Sequence, residues 1–358
     1  MAPTALSAMR RRLVTGLLIG TALPLGWPTA HAQVAFPFYS GEQALQGLYG
    51  HHMPARAHAF DAAAQDLLAA ARRHCQGPAP SGALAAAWRR ALLAWAALST
   101  PAVGPVIERR SQRLIDFLPT RTALLEKALR QAPQSLADMA RVGTPAKGFG
   151  AIDQLLRAPS SPVHCPYLVL VAEGIAQEAS ALRTGFDGLA TRDWTEDESQ
   201  ARSAFGEWIN QWLGGLERLR WMHIEQPIQK ARTAGDGRPP AFARQQMADN
   251  VAEWRSQWAA LLAQASLTPE SRSRPPQPGQ GLIPIEALLM GKGHIALAER
   301  WASALAGAST AFEQLPAEPD EATLMALSKT LKGVTALYQG EVAAALDVPL
   351  GFSDADGD

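Results

Sequence analysis

GFGAIDQLL, residues 148–156, reads as the entrance to an amphipathic helix. Two glycines come first, then Ile152, Leu155 and Leu156 fall on one apolar face, with a single carboxylate, Asp153, beside it. A second copy, GLIPIEALL, occupies 281–289, with Glu286 in the slot of Asp153. Repetition at this distance marks an internal duplication. A long helical pattern (54–75) and a Trp-bearing one (86–98) precede the first copy; a long pattern (167–189) and a Trp-bearing one (203–221) precede the second.

The rest of the chain agrees with helices. Apolar residues recur at three- and four-residue intervals: Phe60, Ala64, Leu67, Leu68 and Ala71; Trp88, Leu92 and Trp95; Leu168, Val171, Ile175 and Leu182; Phe205, Trp208, Trp212 and Leu216; Leu324, Leu327, Leu331 and Val334. Strand-like alternation is almost absent. The spacing predicts an all-α protein, a duplicated helical bundle of two packed bundle domains. Breaker-rich stretches at 76–82, 158–162, 234–240 and 268–281 read as loops or linkers. We place the domain boundary near 160, giving a first bundle over 33–160 and a second over 161–358.

The first 32 residues read differently. Arg10, Arg11 and Arg12 precede an apolar run from Leu13 to about Trp27, and Ala30-His31-Ala32 is a small-x-small cleavage site. This is the pattern of a secretory signal peptide, too short and Pro-interrupted to span a membrane, and no later segment is apolar enough to span one. The expected location is the periplasm of a Gram-negative bacterium. Removing residues 1–32 takes three arginines and no acid from 33 basic and 33 acidic residues, leaving a net charge of −3. That balance offers no electrostatic funnel for nucleic acid. Cys75 and Cys165, the only cysteines, are an even pair in an exported chain and a candidate disulfide; two separate buried thiols are the alternative.

Candidate chemistry is sparse. An acid in an early helical turn gains roughly 0.3–1 kcal/mol from the N-terminal field even without a ligand, which alone accounts for Asp153 and Glu286. As a metal ligand Asp153 has no helical partner, because positions 149, 150, 156 and 157 are Phe, Gly, Leu and Arg. Other ligands must come from other helices. His52, next to His51 before the first long helix, and Asp116, in the charged stretch GPVIERRSQRLIDFLP (104–119), complete the expected set of Asp153, His52 and Asp116 for a divalent or iron cation. Gly148, Gly150, Asp153 and Arg113 are the expected ligand cleft: the glycines leave room beside Asp153, whereas Ile283 and Pro284 crowd Glu286 into a packing or capping role. A solvated, salt-bridged face is the bland reading of 104–119. The C-terminal GFSDADGD (351–358) opens like a calcium loop but ends before the bidentate acid of an EF-hand, and reads better as a tail docked through Phe352. HExxH, GxSxG, dinucleotide and P-loop patterns are absent, and no catalytic residue is assigned.

Taken together these pieces resemble the imelysin-like, or peptidase M75-like, family. The resemblance rests on Pro54 starting a helix that ends in Cys75, AWRRALLAWAAL (87–98), GPV (104–106), Arg113, FLP (117–119), GFGAIDQLL, Cys165-Pro166-Tyr167, and the GFSDADGD ending. It implies an exported bacterial protein with a duplicated helical-bundle fold and a link to iron uptake, through a small ligand or a periplasmic or outer-membrane protein partner. The family signature is GxHxxE, proposed to bind metal. Laid on this chain, its glycine falls on Gly148, its histidine on Gly150 and its glutamate on Asp153. A metallopeptidase needs ligands, an open coordination position and a base. The missing histidine therefore points to a noncatalytic binding protein. The alternatives are a metallopeptidase with an altered GxHxxE site, and a structural or interaction module whose tryptophans only fill the core.

Overall fold

The computed structural model describes residues 35–77, 82–157 and 164–351. The N-terminal stretch read as a signal peptide and the C-terminal residues after Gly351, with the tail read as docked through Phe352, lie outside them. Seventeen α-helices follow in order: α1 (Gly41–Gly47), α2 (Met53–Gln76), α3 (Ala83–Leu98), α4 (Pro105–Glu108), α5 (Ser111–Ile115), α6 (Thr122–Gln131), α7 (Leu136–Ala140), α8 (Gly148–Arg157), α9 (His164–Ala190), α10 (Glu198–Glu217), α11 (Gln226–Ala234), α12 (Met247–Ala265), α13 (Pro269–Ser273), α14 (Ile285–Gly291), α15 (Ile295–Gln314), α16 (Glu321–Leu337) and α17 (Ala343–Ala345). Among the described residues there is no strand. Three junctions are π-helical and continuous with their neighbours: Leu48–His52 between α1 and α2, Arg218–Glu225 between α10 and α11, and Tyr338–Val342 between α16 and α17.

Packing follows the stripes read from the sequence. Met53, Ala57, Phe60, Ala64 and Leu67 are buried along α2, and Leu168, Val171, Ile175, Ala179 and Leu182 along α9. These two long helices lie against each other, with α3 and α8 completing a four-helix group. A second group is built from α10, α12, α15 and α16, and α3 packs on α12 to join the two. Helix α9, placed by the sequence on the far side of a boundary at 160, packs on α2 and α8. By packing, α2, α3, α8 and α9 lie together. Cys75 at the end of α2 and Cys165 at the start of α9 form a disulfide, their Cα atoms 5.5 Å apart.

The tryptophans are mostly core. Trp88, Trp95, Trp208, Trp212, Trp254 and Trp301 are fully buried, and only Trp221, on the π-helical junction, is an exposed one among the described residues. Each buried aromatic contributes about 1.5–3 kcal/mol of apolar burial. Several indoles also satisfy a carbonyl: Trp88 Nε1 donates to Phe149 O (3.1 Å), Trp212 Nε1 to Leu261 O (3.0 Å) and Trp301 Nε1 to Ala265 O (3.0 Å). The bonds of Trp88 and Trp301 tie core aromatics to the start of α8 and the end of α12.

Candidate functional site

Where the two bundles meet, the core turns ionic. Arg244, in the segment leading into α12, is 2 % exposed. Its guanidinium grips two carboxylates at once. Nη1 and Nη2 donate to Asp116 Oδ1 and Oδ2 (2.8 and 3.0 Å), and Nε and Nη2 donate to Glu253 Oε2 and Oε1 (2.8 and 2.6 Å). Asn250 fixes the backbone of the same residue, accepting from Arg244 N (2.9 Å) and donating to Arg244 O (2.8 Å). Asp116 also accepts from Trp95 Nε1 at 3.1 Å. Burial works against the charge on Arg244, but Asp116 and Glu253 outweigh it and hold the guanidinium protonated.

One residue along, the N–H of Gln245 donates to Asp153 Oδ2 at 2.8 Å, and Arg157 reaches Asp153 Oδ1 at 3.4 Å. Arg157 also donates to Asp249 Oδ2 (3.1 Å), whose other oxygen takes Arg89 Nε (2.7 Å). Burial pushes the Asp153 pKa up against the Gln245 N–H and the two nearby arginines. Arg218 lies close enough to Asp116 to feel its charge. Four arginines (89, 157, 218 and 244) thus face four carboxylates (116, 153, 249 and 253), and the cluster is electrically balanced.

Glu286 repeats the arrangement of Asp153. Both are 1 % exposed. Glu286 Oε2 accepts from Leu267 N (2.8 Å) and Ser266 Oγ (3.1 Å), and Arg272 Nη1 lies 2.7 Å from Oε1. Gln245 precedes α12 and Leu267 follows it, so the two carboxylates hold the backbone at opposite ends of one 19-residue helix.

The expected cleft beside Asp153 is filled. A Cβ on Gly148, which sits at φ +72°, would lie 2.0 Å from Ile115 O, and one on Gly150 would lie 1.8 Å from Thr120 Oγ1. These glycines permit close packing rather than leaving space. Arg113 is exposed at the end of α5; the arginine beside Asp116 and Asp153 is Arg244. Asp116 and Asp153 do belong to one cluster. His52 stands apart: its Nε2 is buried without a hydrogen-bond partner among the described residues, and the charge it feels is that of Arg56. Burial, aided by Arg56, pushes its pKa down to about 3.

Asp153, Asp116 and His52 do not fit a metal ion. The two aspartates are bound to arginine, indole and backbone donors, the histidine neighbours a cation, and no three His, Cys, Asp or Glu side chains among the described residues converge as a cation set. The sequence reading missed Arg244, Asp249, Asn250, Glu253 and His223. A signal was present in MADNVAEWRSQW (247–258): Asn250, Glu253 and Gln257 share the helical face that carries Trp254 and Leu261. Polar residues inside an apolar stripe mark a buried network.

The segment holding Arg244 also forms one wall of an open cleft of about 790 Å³. Ile228, Pro240, Phe242, Met247 and Leu324 line it, with Gln245 on one side and Glu318 and Glu321 at the rim. Its volume lies in the range of small-molecule sites, about 300–1,000 Å³.

Comparison with known proteins gives a consistent answer. The imelysin family profile, named for peptidase M75, matches residues 53–282. No curated protein matches the chain. The fold is shared with the crystal structure of an imelysin-like protein from Psychrobacter arcticum (TM-score 0.66, 18% identity, covering 89% of this chain and 100% of that one). It is also shared with a structure named as an iron-regulated protein A precursor from Parabacteroides distasonis (TM-score 0.69, 11% identity, covering 87% and 98%). With the family profile matching across both bundles and the same helical fold in both structures, the chain belongs to the imelysin family.

Proposed function

We propose that this chain is an exported, noncatalytic member of the imelysin family. It binds a small ligand or a protein partner in the cleft beside Arg244 and Gln245, and serves metal-linked uptake without holding a catalytic metal. One observation carries the reading. Asp153, the carboxylate in the signature position, is engaged by the Gln245 N–H and Arg157, and Gly150, in the histidine position, packs on Thr120 with no room for an imidazole. A hydrolytic metal centre needs free ligands and an open position, and arginine-paired carboxylates supply neither. The iron link is supported by the name of the Parabacteroides distasonis protein of like fold. Export is supported by the N-terminal pattern, and no helix among the described residues is long and apolar enough to cross a membrane.

The test is elemental analysis of gently purified periplasmic protein, together with digestion assays on insulin chain and casein with and without zinc. We expect no stoichiometric metal and no chelator-sensitive cleavage. Bound zinc or iron near one equivalent, with cleavage abolished by Asp153→Asn, would establish the metallopeptidase instead. N-terminal sequencing of the periplasmic protein checks export.

A further inference from the structure

A second open pocket, of about 390 Å³, lies where α5, α7 and the residue before α8 meet α9, and it shares no lining residue with the cleft beside Arg244. Leu114, Leu136, Met139, Leu170 and Ile175 give it apolar walls. Two cations, Arg109 and Lys147, and one carboxylate, Glu178, also line it. That carboxylate is already satisfied. Glu178 is 6 % exposed, accepts from Arg109 Nε and Nη2 (2.9 and 2.7 Å) and accepts from Ser111 Oγ (2.6 Å). Lys147 is left as the uncompensated charge. Its Nζ donates to Met139 O (3.1 Å), no carboxylate pairs with it among the described residues, and burial lowers its pKa. An ammonium carries three donors, so two remain for another acceptor. A half-buried cation without a counter-ion is costly, and an anion beside it relieves that cost. Gly174 is an independent sign. It lines the same pocket from the interior of α9, where glycine weakens a helix relative to alanine, yet a Cβ there would meet nothing within 4 Å. Packing does not require this glycine, and a side chain in its place would take up the open space.

We propose that this pocket binds a monocarboxylate with an apolar tail, its carboxylate on Lys147 and its tail along Leu136, Leu170 and Ile175. One spare positive charge suits a monoanion, whereas a phosphate dianion would bring an unmatched second charge against largely apolar walls. At about 30 Å³ for each water-sized group, 390 Å³ holds roughly a dozen non-hydrogen atoms, the size of decanoate. The pocket is separate from the cleft beside Arg244, so this inference goes beyond the function proposed above and stands or falls without it.

The test is calorimetric titration of the whole mature chain with decanoate, decanol and acetate, with melting curves to confirm folding. We expect the wild type to bind decanoate at least about tenfold more tightly than decanol, and acetate not at all. Lys147→Met should bind decanoate at least about tenfold more weakly and lose the preference over decanol, while Lys147→Arg keeps it. Gly174→Leu, which fills the pocket without touching the lysine, should weaken both ligands. Phe242→Ala, in the cleft beside Arg244, should leave decanoate binding unchanged. No decanoate binding by the wild type, equal affinity for decanol, or undiminished decanoate binding by Lys147→Met or by Gly174→Leu overturns the inference. Loss of decanoate binding in a folded Phe242→Ala puts the ligand in the other cleft and overturns it too. Should Lys147→Met fail to fold, Gly174→Leu and the comparison of decanoate with decanol decide.

Discussion

Two imidazoles make this protein acid-sensitive before its carboxylates do. The His52 and His223 pKa values are both pushed down to about 3: by burial first, then by Arg56 for His52 and by Arg244 for His223. In the unfolded chain both return to the ordinary value near 6.5. Above pH 7.5 neither state binds a proton there and stability is independent of pH. As pH falls through 6.5 the unfolded chain takes up protons that the native state refuses, so stability is lost progressively until the native groups protonate near pH 3. At pH 5 each histidine has titrated about 1.5 units below its unfolded pKa, worth about 2 kcal/mol at 1.36 kcal/mol per unit. The pair therefore removes about 4 kcal/mol, a large part of a typical total of about 5–15 kcal/mol. The assay is urea unfolding at pH 7.5, 6 and 5 for the wild type and for His52→Asn/His223→Gln, each replacement keeping the polar atom on the ring side that is not orphaned. Asp153, Glu253 and Glu286, raised by burial, stabilise the fold in the opposite direction at acid pH, so the difference between the two proteins isolates the imidazoles. If the double variant loses as much stability between pH 7.5 and 5 as the wild type, the reasoning is refuted.

Asp153→Asn and Glu286→Gln should lower stability by similar amounts, about 1–3 kcal/mol each, because each loses the ion pair while keeping an acceptor for its backbone N–H; guanidinium denaturation of both variants checks the symmetry. Gly150→Ala drives a Cβ to within 1.8 Å of Thr120 Oγ1 and should cost about 1–3 kcal/mol. Because that hydroxyl has no partner among the described residues, adding Thr120→Ala should restore the loss, which calorimetric melting reads directly. Reducing the Cys75–Cys165 bond, which closes a separation of 90 residues, should cost at most about 4–5 kcal/mol, read as a fall in the urea midpoint with dithiothreitol.

Those expectations differ from what the sequence suggested about Asp153, and the reason is instructive. The helices were legible because burial imposes a 3.6-residue period, and Phe60, Trp88, Trp95, Ile175 and Trp212 all fall where that period puts them. The cysteine pairing was legible because two cysteines behind a signal-like N-terminus leave few options. Glycine was not: a residue without a Cβ signals close approach as readily as open space, and at 148 and 150 the neighbours are Ile115 and Thr120. Arg244 was hidden because its partners Asp116 and Glu253 come from opposite sides of it in the chain, and a segment rich in Pro and Gln reads as solvated loop. His223 was hidden by geometry. The π-helical turn at Arg218–Glu225 shifts the face by one residue, so a strict α period across it puts the wrong side chains inside.

The two carboxylate grips on α12 also differ in time. Glu286 accepts from Leu267, 19 residues earlier, and Asp153 from Gln245, 92 residues later. The first is a nearby closure, whose contacts form as soon as α12 and α14 coexist. The second spans both bundles, and the entropy of joining distant segments is met only once the rest of the first bundle is in place. In chain order Asp153 comes well before its partner. Until Gln245 arrives, Asp153 lacks its backbone donor and keeps only Arg157 of its own helix. The two carboxylates thus close loops of very different length, Glu286 within its own neighbourhood and Asp153 across much of the chain.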